Sequence, residues 1–204
     1  MFAISQFRVQ IAQALLYIVR QKDLNLYEHS VNVSIIATNI ANEMKLSKEQ
    51  VYAVKLAALL HDIGKILIPS EILNKNGRLT NLEYHVIKKH VNFSFKILQK
   101  YDLLKRIALI VLRHHERLDG SGYPYKLRKD DIPIESRIIA CADVLEAMAF
   151  PRSYRFITLP AKAGLHELNK NKGILYDSDV VDAINKLNGF IFHKEQPVKK
   201  ELVN

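Results

Sequence analysis

Two segments of the sequence place histidine beside charged side chains: LLHDIGK at residues 59–65 and RHHERLDG at residues 113–120. Adjacent histidines such as His114 and His115 are not typical of a hydrophobic core, because histidine is only intermediate in burial. Asp62 follows a strongly apolar run, where an unpaired buried carboxylate is costly and coordination to a cation removes that cost. The two segments therefore indicate a metal site built from imidazole and carboxylate groups.

The paired histidines can share one metal ion most easily at the end of a helix, because neighbouring residues on a helix point about 100° apart. The irregular segment that begins at Glu116 provides such an end. Imidazole and carboxylate ligands without thiolates favour Fe, Mn, Zn or Ni over a structural zinc clamp. One carboxylate can bridge two ions, and two ions about 3.5–4 Å apart can activate water and hold a phosphoryl oxygen.

The composition predicts one all-α domain. The chain has 204 residues, of which 49% are hydrophobic and 25% charged, and only 7 Gly and 6 Pro; these values suit a helical globular protein rather than a turn-rich β-sandwich. The single cysteine, Cys141, excludes an intrachain disulfide and suits a reducing cytoplasm. No apolar run approaches the roughly 18 residues of a membrane span.

The formal net charge of +9 favours an anionic partner. No basic run interleaved with aromatic residues indicates a nucleic-acid groove, so nucleic-acid binding is not expected. A phosphate-containing small molecule fits both the charge and the metal ligands.

Hydrophobic periodicity and capping signals place the elements that must position these residues. Capping boxes at Ser47–Gln50 and Thr80–Glu83 open two of the helices. Residues 116–133 form the longest irregular stretch. The predicted helices cover residues 3–21, 27–44, 47 to about 64, 80–99, 102–115, 134–149, 160–170 and 177–188.

Three ordered motifs resemble the HD-GYP family of the HD phosphohydrolase superfamily: HDIGKILIPSEILNK, HHERLDGSGYP and RIIACADVLEAM. The similarity runs from about Leu26 to Leu187. It implies a single HD-type helical bundle with a binuclear metal site. The corresponding division of the chain is an N-terminal helix at 1–22, which would be a linker or dimerisation element, a catalytic domain at 23–190 and a basic tail at 191–204.

The resemblance also implies a set of metal ligands. Asp62 would bridge two divalent ions, with Fe or Mn expected. Some family members carry a glutamate that supports a third metal; Asn25 stands at that position here, so two ions are expected. One ion would be held by His29, His61 and Asp143, and the other by His90, His114 and His115.

Four further residues have roles in the family pattern. Lys65 would stabilise charge on the phosphate and would share a helical face with His61 if that helix continued. Tyr123, in the Gly120–Pro124 loop, would shape the pocket wall. Arg152 and Arg155 would contact the substrate, although the PRSYR segment departs from the family's DRPYR pattern, as Asn32 departs from a frequent arginine.

By this resemblance the substrate is cyclic di-GMP, cut by metal-activated water to linear pGpG, with onward cleavage to GMP and action on related cyclic dinucleotides left open. One alternative is a catalytically weak receptor that binds the dinucleotide and signals to a protein partner. Another is an HD phosphohydrolase acting on a different nucleotide. A homodimer or a signalling partner is compatible with either role.

Overall fold

The computed structural model describes residues 2–149 and 161–187, and these form helices joined by short connections. Three 3-10 helices lie at Ile63–Leu67, Asp102–Leu104 and Lys129–Asp131. The α-helices are α1 (Phe2–Lys22), α2 (Leu24–Glu43), α3 (Lys48–Leu60), α4 (Ser70–Leu73), α5 (Asn81–Lys88), α6 (His90–Leu98), α7 (Lys105–Val111), α8 (Ile134–Ala149), α9 (Ala161–Lys170) and α10 (Ser178–Lys186).

Within these residues there is no β-strand, only two isolated bridges, which confirms the all-α prediction. Over the same part of the chain, every helix is too short or too polar to pass through a lipid bilayer.

The core lies between α2, α3 and α8, because α2 packs along both of the others. Burying each large aliphatic side chain there contributes about 1.5–3 kcal/mol. Seven fully buried side chains represent this core: Val33, Ile40, Val54, Leu60, Ile138, Ile139 and Leu145. The first helix adds the buried residues Ala12, Leu15 and Val19 to the same cluster. Its role as a linker or dimerisation element stays a prediction, and the tail at 191–204 lies outside the described residues.

The helix predicted to run to about Gly64 is shorter than expected, since α3 ends at Leu60 and a 3-10 helix follows. The cause is a tertiary contact. A Cβ atom added to Gly64 would lie 2.5 Å from the Ser94 amide nitrogen and would overlap the His90 carbonyl oxygen. The chain therefore turns where Gly64 meets α6, and only glycine fits this approach.

Ser94 holds this turn against α6 through two hydrogen bonds. Its fully buried hydroxyl accepts a hydrogen bond from the Gly64 amide at 2.8 Å and donates to the His61 carbonyl at 2.9 Å. Ser94 and His90 are four residues apart and so lie on the same side of α6. The contact places the turn that follows α3 beside the first residue of α6.

Two other predicted helices are also divided. The helix expected over 80–99 breaks at Lys89 into α5 and α6, so that His90 begins a helix. The helix expected over 102–115 starts as a 3-10 turn, and its α-helical part ends at Val111. His114 and His115 consequently lie in a turn beyond the helix end.

The irregular segment after these histidines is organised by a buried carboxylate. Glu116, only 2% exposed, accepts hydrogen bonds from the Tyr125 amide at 2.7 Å and the Leu127 amide at 2.9 Å. Gly122 packs against the start of the same segment, where an added Cβ would lie 2.5 Å from the Glu116 Cα atom. Both contacts fold the loop back over its origin and so fix the position of Tyr123.

Replacing Ser94 with alanine should lower the free energy of unfolding by about 1–3 kcal/mol, because the buried Gly64 amide would lose its acceptor. Ser30→Ala is a matched control, since the similarly buried Ser30 hydroxyl donates to the Leu26 carbonyl within α2. The free energy of unfolding of Ser30→Ala should fall by less than about 0.5 kcal/mol. Urea unfolding of the metal-free variants, followed by circular dichroism, measures both. Equal losses in the two variants would contradict the assigned role of Ser94.

Candidate metal centre

Five α-helices and the turns that follow two of them bring the seven predicted ligands together. Their ligand atoms form overlapping groups in which the atoms of each group lie within 4.8 Å of one another. We call one the His29 group (His29, His61 and Asp143) and another the His90 group (His90, His114 and His115). These are the two sets expected from the sequence.

The carboxylate of Asp62 lies between the two groups and is 1% exposed. Its Oδ2 atom is 3.4 Å from His29 Nε2 and 3.3 Å from His61 Nε2. Its Oδ1 atom is 3.2 Å from His90 Nε2. Each oxygen thus faces a different group, an arrangement that suits a carboxylate shared by two cations.

Main-chain carbonyls orient three of the imidazole rings. The Nδ1 atoms of His61, His90 and His114 lie 2.7, 2.7 and 2.6 Å from carbonyl oxygens three residues earlier in the chain. A carbonyl oxygen only accepts, so each Nδ1 carries a proton, and Nε2 is the nitrogen that presents a lone pair to the site when the ring is neutral. This is the tautomer that a metal ion requires.

Several buried polar atoms at the centre make no hydrogen bond: the Nε2 atoms of His61, His90 and His114, and Oδ1 of Asp62. Buried polar atoms without partners are rare and costly in native proteins. Divalent cations would satisfy all of them at once, and nitrogen and carboxylate oxygen are the donors that Fe, Mn, Zn and Ni accept. The residues present therefore fit a metal centre.

Two histidines of the His90 group, His114 and His115, are held neutral. The pKa of His114 is lowered to about 3, mainly by burial and in addition by the electrostatic effect of the neighbouring His61 and His90 rings. Burial also lowers the pKa of His115 well below its usual value, with His114 and His90 contributing. Neutral imidazoles bind metals without first losing a proton.

The carboxylates are held ionised. Burial raises the pKa of Asp62, but the charges of His61 and Lys65 outweigh burial and leave the pKa well below its usual value. Burial also raises the pKa of Asp143, but the hydrogen bond to His29 and the charge of its ring outweigh burial and leave that pKa well below its usual value. Burial lowers the pKa of His29, yet the carboxylates around it raise that pKa well above normal. The two carboxylates thus carry negative charge that metal cations would neutralise.

Lys65 reaches the centre by a different route from the one predicted. Because α3 ends at Leu60, Lys65 lies in the following 3-10 helix rather than on a continued helical face with His61. Its Nζ atom is 2.5 Å from Asp62 Oδ2, and the side chain is 17% exposed. The ammonium group is therefore at the edge of the candidate centre.

Tyr123 lies against the His90 group, with its ring stacked on His115 at a centroid distance of 4.7 Å. Lys88 was not predicted from the sequence; its Nζ atom lies 4.9 Å from the Tyr123 ring centroid and 4.4 Å from that of Tyr84. Burial raises the pKa of Tyr123, so its phenol stays neutral. An aromatic face and a cation thus flank the centre on this side.

Other predicted residues lie elsewhere or cannot be placed. Arg152 and Arg155 fall outside the described residues. Asn25 is exposed on α2.

Glu146 is a second residue that the sequence reasoning missed. Its Oε2 atom lies 2.5 Å from His29 Nδ1, and its Oε1 atom accepts a hydrogen bond from Asn32 Nδ2 at 3.2 Å. The sequence feature that could have identified Glu146 is its position three residues after Asp143, which puts both carboxylates on one side of α8.

The model of the HD domain family matches residues 13–180. A cyclic di-GMP phosphodiesterase of Thermotoga maritima is 38% identical over 183 residues, which cover 89% of this chain and 50% of the relative. A 3'3'-cGAMP-specific phosphodiesterase 1 of Vibrio cholerae is 40% identical over 147 residues, covering 72% of this chain and 34% of the relative. The chain therefore spans about half or less of the length of these relatives.

Among solved structures, the HDG"Y"P protein Bd1817 of Bdellovibrio bacteriovorus superposes with a TM-score of 0.66 at 19% identity, covering 91% of this chain and 61% of that protein. This likeness shows a shared fold. The family match over most of the chain and the sequence relatives confirm the family predicted from the motifs: the chain belongs to the HD domain family.

Proposed function

We propose that this chain is a metal-dependent phosphodiesterase that hydrolyses cyclic di-GMP to linear pGpG. The observation that carries the proposal is the buried Asp62 carboxylate, with one oxygen facing each of two ligand groups. The Thermotoga maritima relative named for this activity supports the choice of substrate.

The two ions would be held by the His29 group and the His90 group, with Asp62 between them, and Fe or Mn fits the nitrogen and oxygen donors. Ions bound there would supply Lewis acidity towards a phosphate oxygen and towards water. The exposed Asn25 on α2 supports two ions rather than three.

The residues of the chain itself would position the phosphate. Lys65 is a cation at the edge of the centre whose present partner is Asp62. When the charge of Asp62 is shared with bound ions, the ammonium group can turn to a phosphate oxygen and stabilise charge that develops there. Tyr123 and Lys88 would line the opposite wall, where the ring offers a face to a base and the amine a charge to a phosphate. Arg152 and Arg155 stay predicted substrate ligands.

A second candidate substrate is 3'3'-cGAMP, for which the Vibrio cholerae relative is named. It differs from cyclic di-GMP in one base and leaves the phosphodiester chemistry unchanged. A receptor with little turnover is less favoured, because each of the seven ligand positions keeps a residue able to bind metal.

The direct test is an assay under anaerobic conditions with Mn(II) or Fe(II), in which cyclic di-GMP and 3'3'-cGAMP are followed by chromatography. Conversion of cyclic di-GMP to pGpG is expected. A protein that holds two ions and binds the dinucleotide without cutting it would instead be a receptor. Failure to bind or cut either compound would assign the site to another nucleotide.

Asp62→Asn should lower metal content below two ions per chain and reduce turnover at least about 100-fold, equivalent to about 2.7 kcal/mol. The change keeps the shape of the side chain but removes the charge that both groups share. Elemental analysis and the chromatographic assay measure the two effects. Asp102→Asn, at an exposed residue paired with Lys105, should change neither. Two ions per chain in Asp62→Asn would refute the bridging role.

Lys65→Met should keep both ions but lower kcat by about 10- to 100-fold, or about 1.4–2.7 kcal/mol. The reason is that the ammonium group would act on the phosphate and not as a metal ligand. Lys105→Met removes the same charge from an exposed position and should leave kcat unchanged. If Lys65→Met turned over at the parent rate, Lys65 would have no part in the reaction.

A further inference from the structure

The imidazole of His29 is held by two carboxylates of the same helix. Asp143 Oδ1 lies 3.3 Å from His29 Nε2, and Glu146 Oε2 lies 2.5 Å from His29 Nδ1. Both acids belong to α8 and are three residues apart, so they face α2 together. One side of α8 therefore supplies a candidate ligand and the outer partner of another.

His29 differs in this respect from the other candidate ligands. The Nδ1 atoms of His61, His90 and His114 contact neutral main-chain carbonyls three residues earlier in the chain. Of these four histidines in the described part of the chain, only His29 has a carboxylate at Nδ1. A carboxylate partner fixes the ring and increases electron donation from the opposite nitrogen to a metal, which a neutral carbonyl does less strongly.

Glu146 is itself held in place. It is 4% exposed, and Asn32, three residues after His29 on α2, donates to its second oxygen at 3.2 Å. The amide of Asn32 is neutral, so it orients the carboxylate without cancelling its charge. Burying a carboxylate costs free energy, and these two contacts direct that charge to the ring of His29.

We propose that Glu146 is a positioning residue that strengthens metal binding at the His29 group and not at the His90 group. This inference rests on the metal centre of the proposed function and goes beyond it, because it assigns a role in metal affinity to a residue outside both ligand sets. Removing the charge of Glu146 should weaken binding at the His29 group and leave the His90 group nearly unchanged.

The test uses Glu146→Gln, which keeps the length of the side chain and an acceptor for His29 Nδ1 but removes the charge. Each group is measured in a background in which the other group is disabled. His115→Ala disables the His90 group, and Asp143→Ala disables the His29 group. Mn(II) alone is the probe, and competition with a chromophoric chelator gives each dissociation constant. In the His115→Ala background, Glu146→Gln should raise the constant about 10- to 100-fold; in the Asp143→Ala background, by less than about threefold.

Two comparisons separate positioning from a structural role. Glu135→Gln changes another buried glutamate of α8, paired with Arg106 at 3.0 Å outside the site, and should alter neither constant. Glu146→Asp retains the charge on a shorter side chain and should recover part of the lost affinity. Asn32→Ala, which leaves the charge but removes its orienting contact, should weaken only the His29 group and by a smaller factor.

Equal weakening in both backgrounds, or none in the His115→Ala background, would overturn the inference. A further pair of results would also overturn it: metal-free Glu146→Gln fails to fold, and Asn32→Ala leaves the Mn(II) dissociation constant of the His29 group unchanged. The role of Glu146 would then be structural. If the parent protein bound no Mn(II), the proposed function would fail instead, which the same titration shows separately.

Discussion

A buried carboxylate among imidazole nitrogens is the constraint on which the rest of the structure depends. Asp62 is 1% exposed and has three histidine Nε2 atoms within 3.4 Å. Without cations, such a cluster would leave buried charge and lone pairs uncompensated, at a cost of several kcal/mol. The fold holds this unfavourable arrangement in place and thereby preorganises a site for cations.

The ends of helices, rather than their middles, supply most of the candidate ligands. Breaks after Leu60, at Lys89 and after Val111 place histidine and aspartate residues in turns or at a helix start. There the first or last main-chain groups are free to bond side chains, and three carbonyls orient the rings. The central pair of α2 and α8 contributes the remaining ligands from helical positions, supported by the core around Ile40 and Leu145.

The sequence was sufficient to predict the fold class, the approximate positions of the helices and both capping boxes, because these depend on local periodicity and local hydrogen bonds. The motifs also predicted which candidate ligands lie close together. The end of α3 was not predictable, since it is decided by the approach of Gly64 to α6, a contact between segments distant in sequence. Glu146 and Lys88 were missed for the same reason: their partners, His29 and Tyr123, are neighbours only in the folded chain.

The central claim is that Asp62 lies between two metal ions. Crystals of the protein grown with Mn(II), measured on both sides of the manganese absorption edge, test it most directly. The account predicts two anomalous peaks, one beside each oxygen of Asp62, with His29 and Asp143 at one peak and His90 and His115 at the other. A single peak, or a third peak near Asn25, would contradict it.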